Sequence, residues 1–136
     1  MDHRVDSRPE SPPNRLDYSL RALTIVIGVA VVVLSLAPPP GSGGVISDKL
    51  AHFLSYFSFT YCALLGFIGR PGRPPEAVGL AYGLVTMVAA AGATIEILQV
   101  FVGRDTSLMD ALANAAGASL GLVAWILTVR RSPQQA

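Results

Sequence analysis

Four apolar runs divide this 136-residue chain, and they leave few folds open to it. They cover residues 22–37, 50–68, 77–102 and 108–129. The first carries no charge. His52 interrupts the second, Glu96 the third, and Asp110 lies near the start of the fourth. A helix needs about 20 mostly apolar residues to cross a bilayer core, with a range of about 17–25. The first run is short at 16 residues, but Arg21 can snorkel and extend it. The predicted fold is all-α: an integral membrane four-helix bundle with spans at about 21–37, 50–69, 77–102 and 108–129. Composition agrees, with 51% hydrophobic residues, 14% charged residues and a mean hydropathy of +0.51. A net charge of +1, with no basic polar domain, excludes a nucleic-acid partner.

The arginines orient the bundle. Arg4, Arg8, Arg15 and Arg21 precede the first span, Arg70 and Arg73 separate the second and third, and Arg130 and Arg131 follow the fourth. Only Lys49 and Arg104 fall on the other side. The positive-inside rule then gives an N-in/C-in topology with both termini in the cytoplasm. Residues 1–20 are polar and proline-bearing and are predicted to be a disordered tail. Residues 21–131 form the transmembrane domain and residues 132–136 a second tail. Pro38 to Pro40 end the first helix, residues 38–47 form an outer loop, and residues 70–75 form a Gly/Pro-rich inner turn. Ser35 and Ala37 are spaced as at a signal-peptide cleavage site, but Pro38 disfavours cutting there.

Other residues have ordinary roles. Cys62 lies in an apolar run, where a small buried hydrophobe is expected, and has no internal disulfide partner. Trp125 and Tyr18 are expected as interfacial anchors. Gly79 and Gly83, and again Gly117 and Gly121, are four apart, which lets helix backbones approach closely. Either pair also offers a surface for homo-oligomers.

The polar residues of the spans gather near one membrane face. Asp48, His52 and Tyr56 follow i, i+4, i+8 on the second helix, with Lys49 beside them. His52 lies about 6 Å below Asp48 at 1.5 Å per residue. Glu96 and Gln99 share a face of the third helix, and Glu96 is about 9 Å below its outer end. Gly103 ends that helix, and Arg104 to Ser107 make a turn. Ser107 is the expected N-cap of the fourth helix, with Asp110 at N3 in a capping-box-like pair. Asp110, Asn114, Gly117 and Gly121 then form one stripe. Three helices therefore place polar groups at one depth, in a pocket open to the outer face. Boundary charges of this kind usually anchor or cap helices. Glu96 is different, because a carboxylate at that depth needs Arg104, Lys49 or His52 as a partner. Asp110-Ala111-Leu112-Ala113-Asn114 also repeats the D-x-L-A-(H/N) pattern of Asp48-Lys49-Leu50-Ala51-His52, too briefly to establish a repeat.

Glu96, His52 and Asp110 are the candidate catalytic groups, suited to acid–base work. Asp48, Lys49, Tyr56, Gln99, Arg104, Ser107 and Asn114 are candidate substrate contacts, with Lys49 and Arg104 suited to an anionic headgroup. No metal-ligand spacing or phosphate-binding loop is present, so no metal and no other cofactor is expected.

The ordered pattern Asp48-Lys49-x-x-His52-Phe53-x-x-Tyr56, Glu96-x-x-Gln99, Arg104-x-x-Ser107-x-x-Asp110-x-x-x-Asn114-x-x-Gly117-x-x-x-Gly121 resembles the VanZ-like membrane proteins. The resemblance spans about residues 47–125, most of the chain. It implies a small bacterial multi-pass protein of the cytoplasmic membrane. It also implies a link to teicoplanin-type glycopeptide resistance and a lipid-linked or glycopeptide-related envelope ligand. Membrane lipids are the other expected partners.

Overall fold

A computed structural model describes residues 15–37, 45–69, 75–104 and 107–130. It contains α1 (Arg15–Leu36), α2 (Val45–Ala63), α3 (Pro75–Phe101) and α4 (Leu108–Arg130). A π-helical turn, Leu64–Ile68, continues α2. There is no strand among the described residues. All four helices are long and apolar enough to cross a membrane. The tails at 1–14 and 132–136 and the inner turn at 70–74 lie outside the described residues, as does the outer loop at 38–44.

Two helices start earlier than their apolar runs. α1 begins at Arg15, so residues 15–20 are helical rather than part of a disordered tail. Asp17 lies in the first turn, where a negative charge suits the helix dipole, and Ser19 Oγ donates back to Arg15 O at 3.0 Å. Hydropathy marks the span and not the polar turn that leads into it. Similarly, α2 begins at Val45, inside the stretch read as loop. α3 ends as expected: Gly103 adopts φ +74°, Gly103 N–H donates to Val100 O, and Arg104 N–H donates to Gln99 O. Those are the two bonds of a Schellman motif, and its left-handed residue favours glycine.

The surface is that of an inside-out protein. Met87, Leu34 and Ile25 are 73%, 69% and 61% exposed, while Glu96, Gln99, Asp110 and Asn114 are buried. Water would reverse that arrangement, whereas hydrocarbon favours it. Lipid gives apolar helices little drive to associate, so close backbone packing must supply it. α2 and α4 make the most extensive contact, and Gly117 and Gly121 create it. A Cβ on Gly117 would collide with Phe53 O, and one on Gly121 would stand 3.0 Å from Phe57 O. Gly79 and Gly83 meet nothing within 4 Å, so the expected close contact of α3 through them is not made among the described residues.

The end away from the polar cluster is held by Leu64, Ile68, Ala77, Ala81, Leu122 and Trp125. Trp125 is not a free interfacial anchor: it is buried, and its Nε1 donates to Gly69 O at 3.0 Å. The π turn makes that carbonyl available. Gly69 N–H donates to Leu64 O, and Gly69 adopts φ +85°. Tyr18 is exposed, as an anchor should be, and Cys62 is half-buried rather than fully enclosed.

Candidate functional site

At the opposite end the start of α2, the end of α3 and the start of α4 meet. Two chains of contacts join them. The first is ionic. Lys49 Nζ lies 2.7 Å from Asp110 Oδ1 and donates to Ser107 Oγ at a longer 3.4 Å. Ser107 O still accepts the first helical amides, Asp110 N–H at 2.9 Å and Ala111 N–H at 3.2 Å. The capping-box expectation therefore holds for the backbone position and not for the side chains. Both side chains turn to Lys49, because an ammonium is a stronger partner than an amide.

The second chain lies deeper. His52 Nδ1 and Asn114 Oδ1 are 3.0 Å apart, and Asn114 Nδ2 donates to Glu96 Oε1 at 3.3 Å. An amide oxygen only accepts, so His52 Nδ1 carries the proton. In the neutral ring Nε2 is then the free acceptor. Glu96 Oε1 is also 3.9 Å from His52 Nδ1. His52 and Asn114 are thus the partners that Glu96 requires, and Arg104 and Lys49 are not. Both chains tie one D-x-L-A-(H/N) segment to the other, Lys49 to Asp110 and His52 to Asn114.

Glu96 is 5% exposed and Asn114 1%. Glu96 Oε2 has no hydrogen-bond partner among the described residues; the Ser107 backbone amide is near the carboxylate without bonding to that oxygen. Tyr56 Oη, one turn below His52, is likewise buried and unpartnered. Its ring lies against Gly92, where a Cβ would be 2.8 Å away. Each orphan costs about 1–3 kcal/mol in a dry site. Of the two, Tyr56 lines a cavity and Glu96 does not, and an unmatched buried polar atom calls for an explanation in either place.

Two predicted site residues give hydrogen bonds to α1. Gln99 Nε2 donates to Ser35 O at 3.0 Å. Arg104 Nη1 donates to Leu34 O, Ser35 O and Ala37 O at 3.0–3.1 Å. Together they satisfy the last carbonyls of α1, where a cation also suits the helix dipole. Arg104 still lines a cavity of about 560 Å³ shared with Asp48, His52, Ser55 and Tyr56. Lys49 does not line it. The expected pair of free cations for an anionic headgroup is therefore reduced to Arg104.

Donor atoms of Asp48, His52 and Asp110 lie within 4.8 Å of one another. These three are the groups best placed to hold a divalent ion. The Lys49 ammonium already occupies the cationic position against Asp110, however, so metal chemistry would first require Lys49 to withdraw.

Reasoning from the sequence missed Ser55, Gly92 and the wall formed by α1. Ser55 and Gly92 look like ordinary small residues in an apolar run. The role of α1 comes from its carbonyls and methyl groups, which no residue type advertises. The chain matches no protein-family model, no curated protein and no solved structure.

Proposed function

We propose that this chain is a VanZ-like integral protein of the bacterial cytoplasmic membrane, with both termini inside. In this reading its polar pocket faces outward and recognises an amphipathic envelope substrate, which it is equipped to modify. The carrying observation is the buried line His52–Asn114–Glu96, which joins three helices and leaves Glu96 Oε2 and Tyr56 Oη unmatched. His52 Nε2 is the candidate base, Glu96 the candidate acid or cation partner, and Asp110 the charge that holds Lys49 in place. Asp48 and Arg104 are the charges that face an incoming headgroup. The motif pattern and the eight-to-two arginine and lysine distribution support the family and the orientation. The associated phenotype is teicoplanin-type glycopeptide resistance.

A second reading is a non-catalytic accessory protein that binds the same ligand. It draws support from the mutual neutralisation of Lys49 and Asp110, which resembles a structural pair. A small transporter or flippase ranks behind both. Few buried polar side chains continue toward the other end among the described residues, and one of them, Thr24, bonds its own helix at Leu20 O.

The test is teicoplanin susceptibility of cells expressing Glu96→Gln or Asp110→Asn at native protein levels. Loss of resistance in both is expected. Unchanged resistance in both would sink the site. His52→Ala separates the two readings: a modifying enzyme loses the phenotype, whereas a binding protein keeps most of it.

A further inference from the structure

α1 does not follow α2 along its whole length. At the far end they nearly touch. Arg21 Nε donates to Gly66 O at 2.7 Å, and a Cβ on Gly66 would stand 3.1 Å from Arg21 N. At mid-height the Phe59 ring covers Gly28, 2.9 Å from a Cβ there. Beside that contact, from the level of Val26 to that of Ala37, a gap separates the two helices, and this is the cavity of about 560 Å³. Val26, Ala30 and Leu34 form its α1 wall, Asp48, Ala51 and His52 part of its α2 wall. The α1 wall runs about 12 Å from Val26 to Leu34 at 1.5 Å per residue. Half of a hydrocarbon core about 30 Å thick is about 15 Å. The groove therefore has nearly the depth of one leaflet, with an apolar wall along it and charges at one end.

Those charges have both signs. Asp48 is exposed and lines the mouth, and so does Arg104. Arg104 uses Nη1 on the α1 carbonyls, while its Nη2 and Nε make no hydrogen bond among the described residues. Lys49 is turned onto Asp110. A purely anionic headgroup would meet Asp48 unfavourably, and a purely cationic one would meet Arg104.

We infer that the groove between α1 and α2 seats one chain of a zwitterionic, phosphoethanolamine-type phospholipid. Its phosphate lies at Arg104 and its primary ammonium at Asp48. This rests on the recognition site proposed above and adds the class of ligand.

The experiment is native mass spectrometry of the full-length protein in mixed micelles with equal amounts of palmitoyl-oleoyl phosphatidylethanolamine and phosphatidylglycerol. An exposed charge contact of about 1 kcal/mol gives about a fivefold preference for the ethanolamine lipid. Asp48→Lys should move that preference toward the glycerol lipid. Ala30→Trp and Ala51→Trp, at exposed positions on opposite walls, should each reduce bound lipid with helix content unchanged. Equal uptake of the two lipids by the native chain overturns the inference, and so does undiminished binding in both tryptophan variants. Either result leaves the recognition site standing, because failure of that site appears instead as unchanged resistance in Glu96→Gln and Asp110→Asn.

Discussion

The two ends of the bundle solve opposite problems. At the far end, Trp125, Leu64 and Ala81 are buried in one cluster, α1 is pressed against the π turn, and the indole N–H is matched by Gly69 O. At the polar end, Glu96, Gln99, Asp110 and Asn114 are buried, Glu96 Oε2 and Tyr56 Oη have no hydrogen-bond partner among the described residues, and α1 stands away from α2. One end contributes stability. Between the two ends Thr60 Oγ1 is also buried without a hydrogen-bond partner among the described residues, so what sets the polar end apart is that its unmatched groups can ionise. The contrast locates function, since both ends are built from the same four helices.

Substitutions can break that contrast. The largest effect is expected at the seam shared by both ends. Gly117→Ala drives a methyl into the α2 backbone at Phe53 and should destabilise the bundle by about 2–3 kcal/mol. Gly79→Ala meets open space and should change stability by less than about 0.5 kcal/mol. Thermal unfolding in detergent checks both. If Gly79→Ala instead dissociates an oligomer, the open α3 stripe is an interface between copies.

Next comes Asn114→Ala, which strands His52 Nδ1–H and Glu96 Oε1 together and should cost about 2 kcal/mol. A control at the other end, Trp125→Phe, removes one hydrogen bond and part of a buried ring and should cost about 2 kcal/mol without altering the proposed phenotype. A Trp125→Phe variant that lost the proposed resistance phenotype at full expression would erase the distinction between the ends.

Among the polar contacts, the smallest effect is expected at the ion pair. Lys49→Met should cost about 1 kcal/mol, since the Lys49 side chain is 33% exposed and water screens the contact. A Lys49→Asp, Asp110→Lys double exchange should recover much of that loss in a double-mutant cycle. Additive losses would show that the pair is not coupled.

Much of the bundle was legible in the sequence because lipid imposes a simple rule: long apolar runs become helices whose backbones satisfy themselves. The grouping of Asp48, His52, Glu96, Asp110 and Asn114 at one end was legible for a related reason. Depth follows from residue number at 1.5 Å per step. The pairing within that group was not, because residue number gives height and not direction around the axis between helices. Lys49 therefore read as a free cation and is held by Asp110. Gln99 read as pocket lining, yet its hydrogen bond goes to an α1 carbonyl, and Arg104 lines the cavity while also donating to that helix end. Trp125 read as an anchor because the π turn that presents Gly69 O has no residue signature. Gly117 and Gly79 share the same four-residue spacing, and only packing distinguishes the seam from the open stripe.

The central proposal is that the polar end of the bundle faces outward and the Trp125 end faces the cytoplasm. Its most direct test is labelling of single cysteines in intact cells with a membrane-impermeant maleimide, on a Cys62→Ala background. Asp48→Cys and Tyr18→Cys both replace exposed side chains, at opposite ends of the bundle. The account predicts that Asp48→Cys is labelled without permeabilisation and Tyr18→Cys only after it. Labelling of Tyr18→Cys alone in intact cells would contradict it.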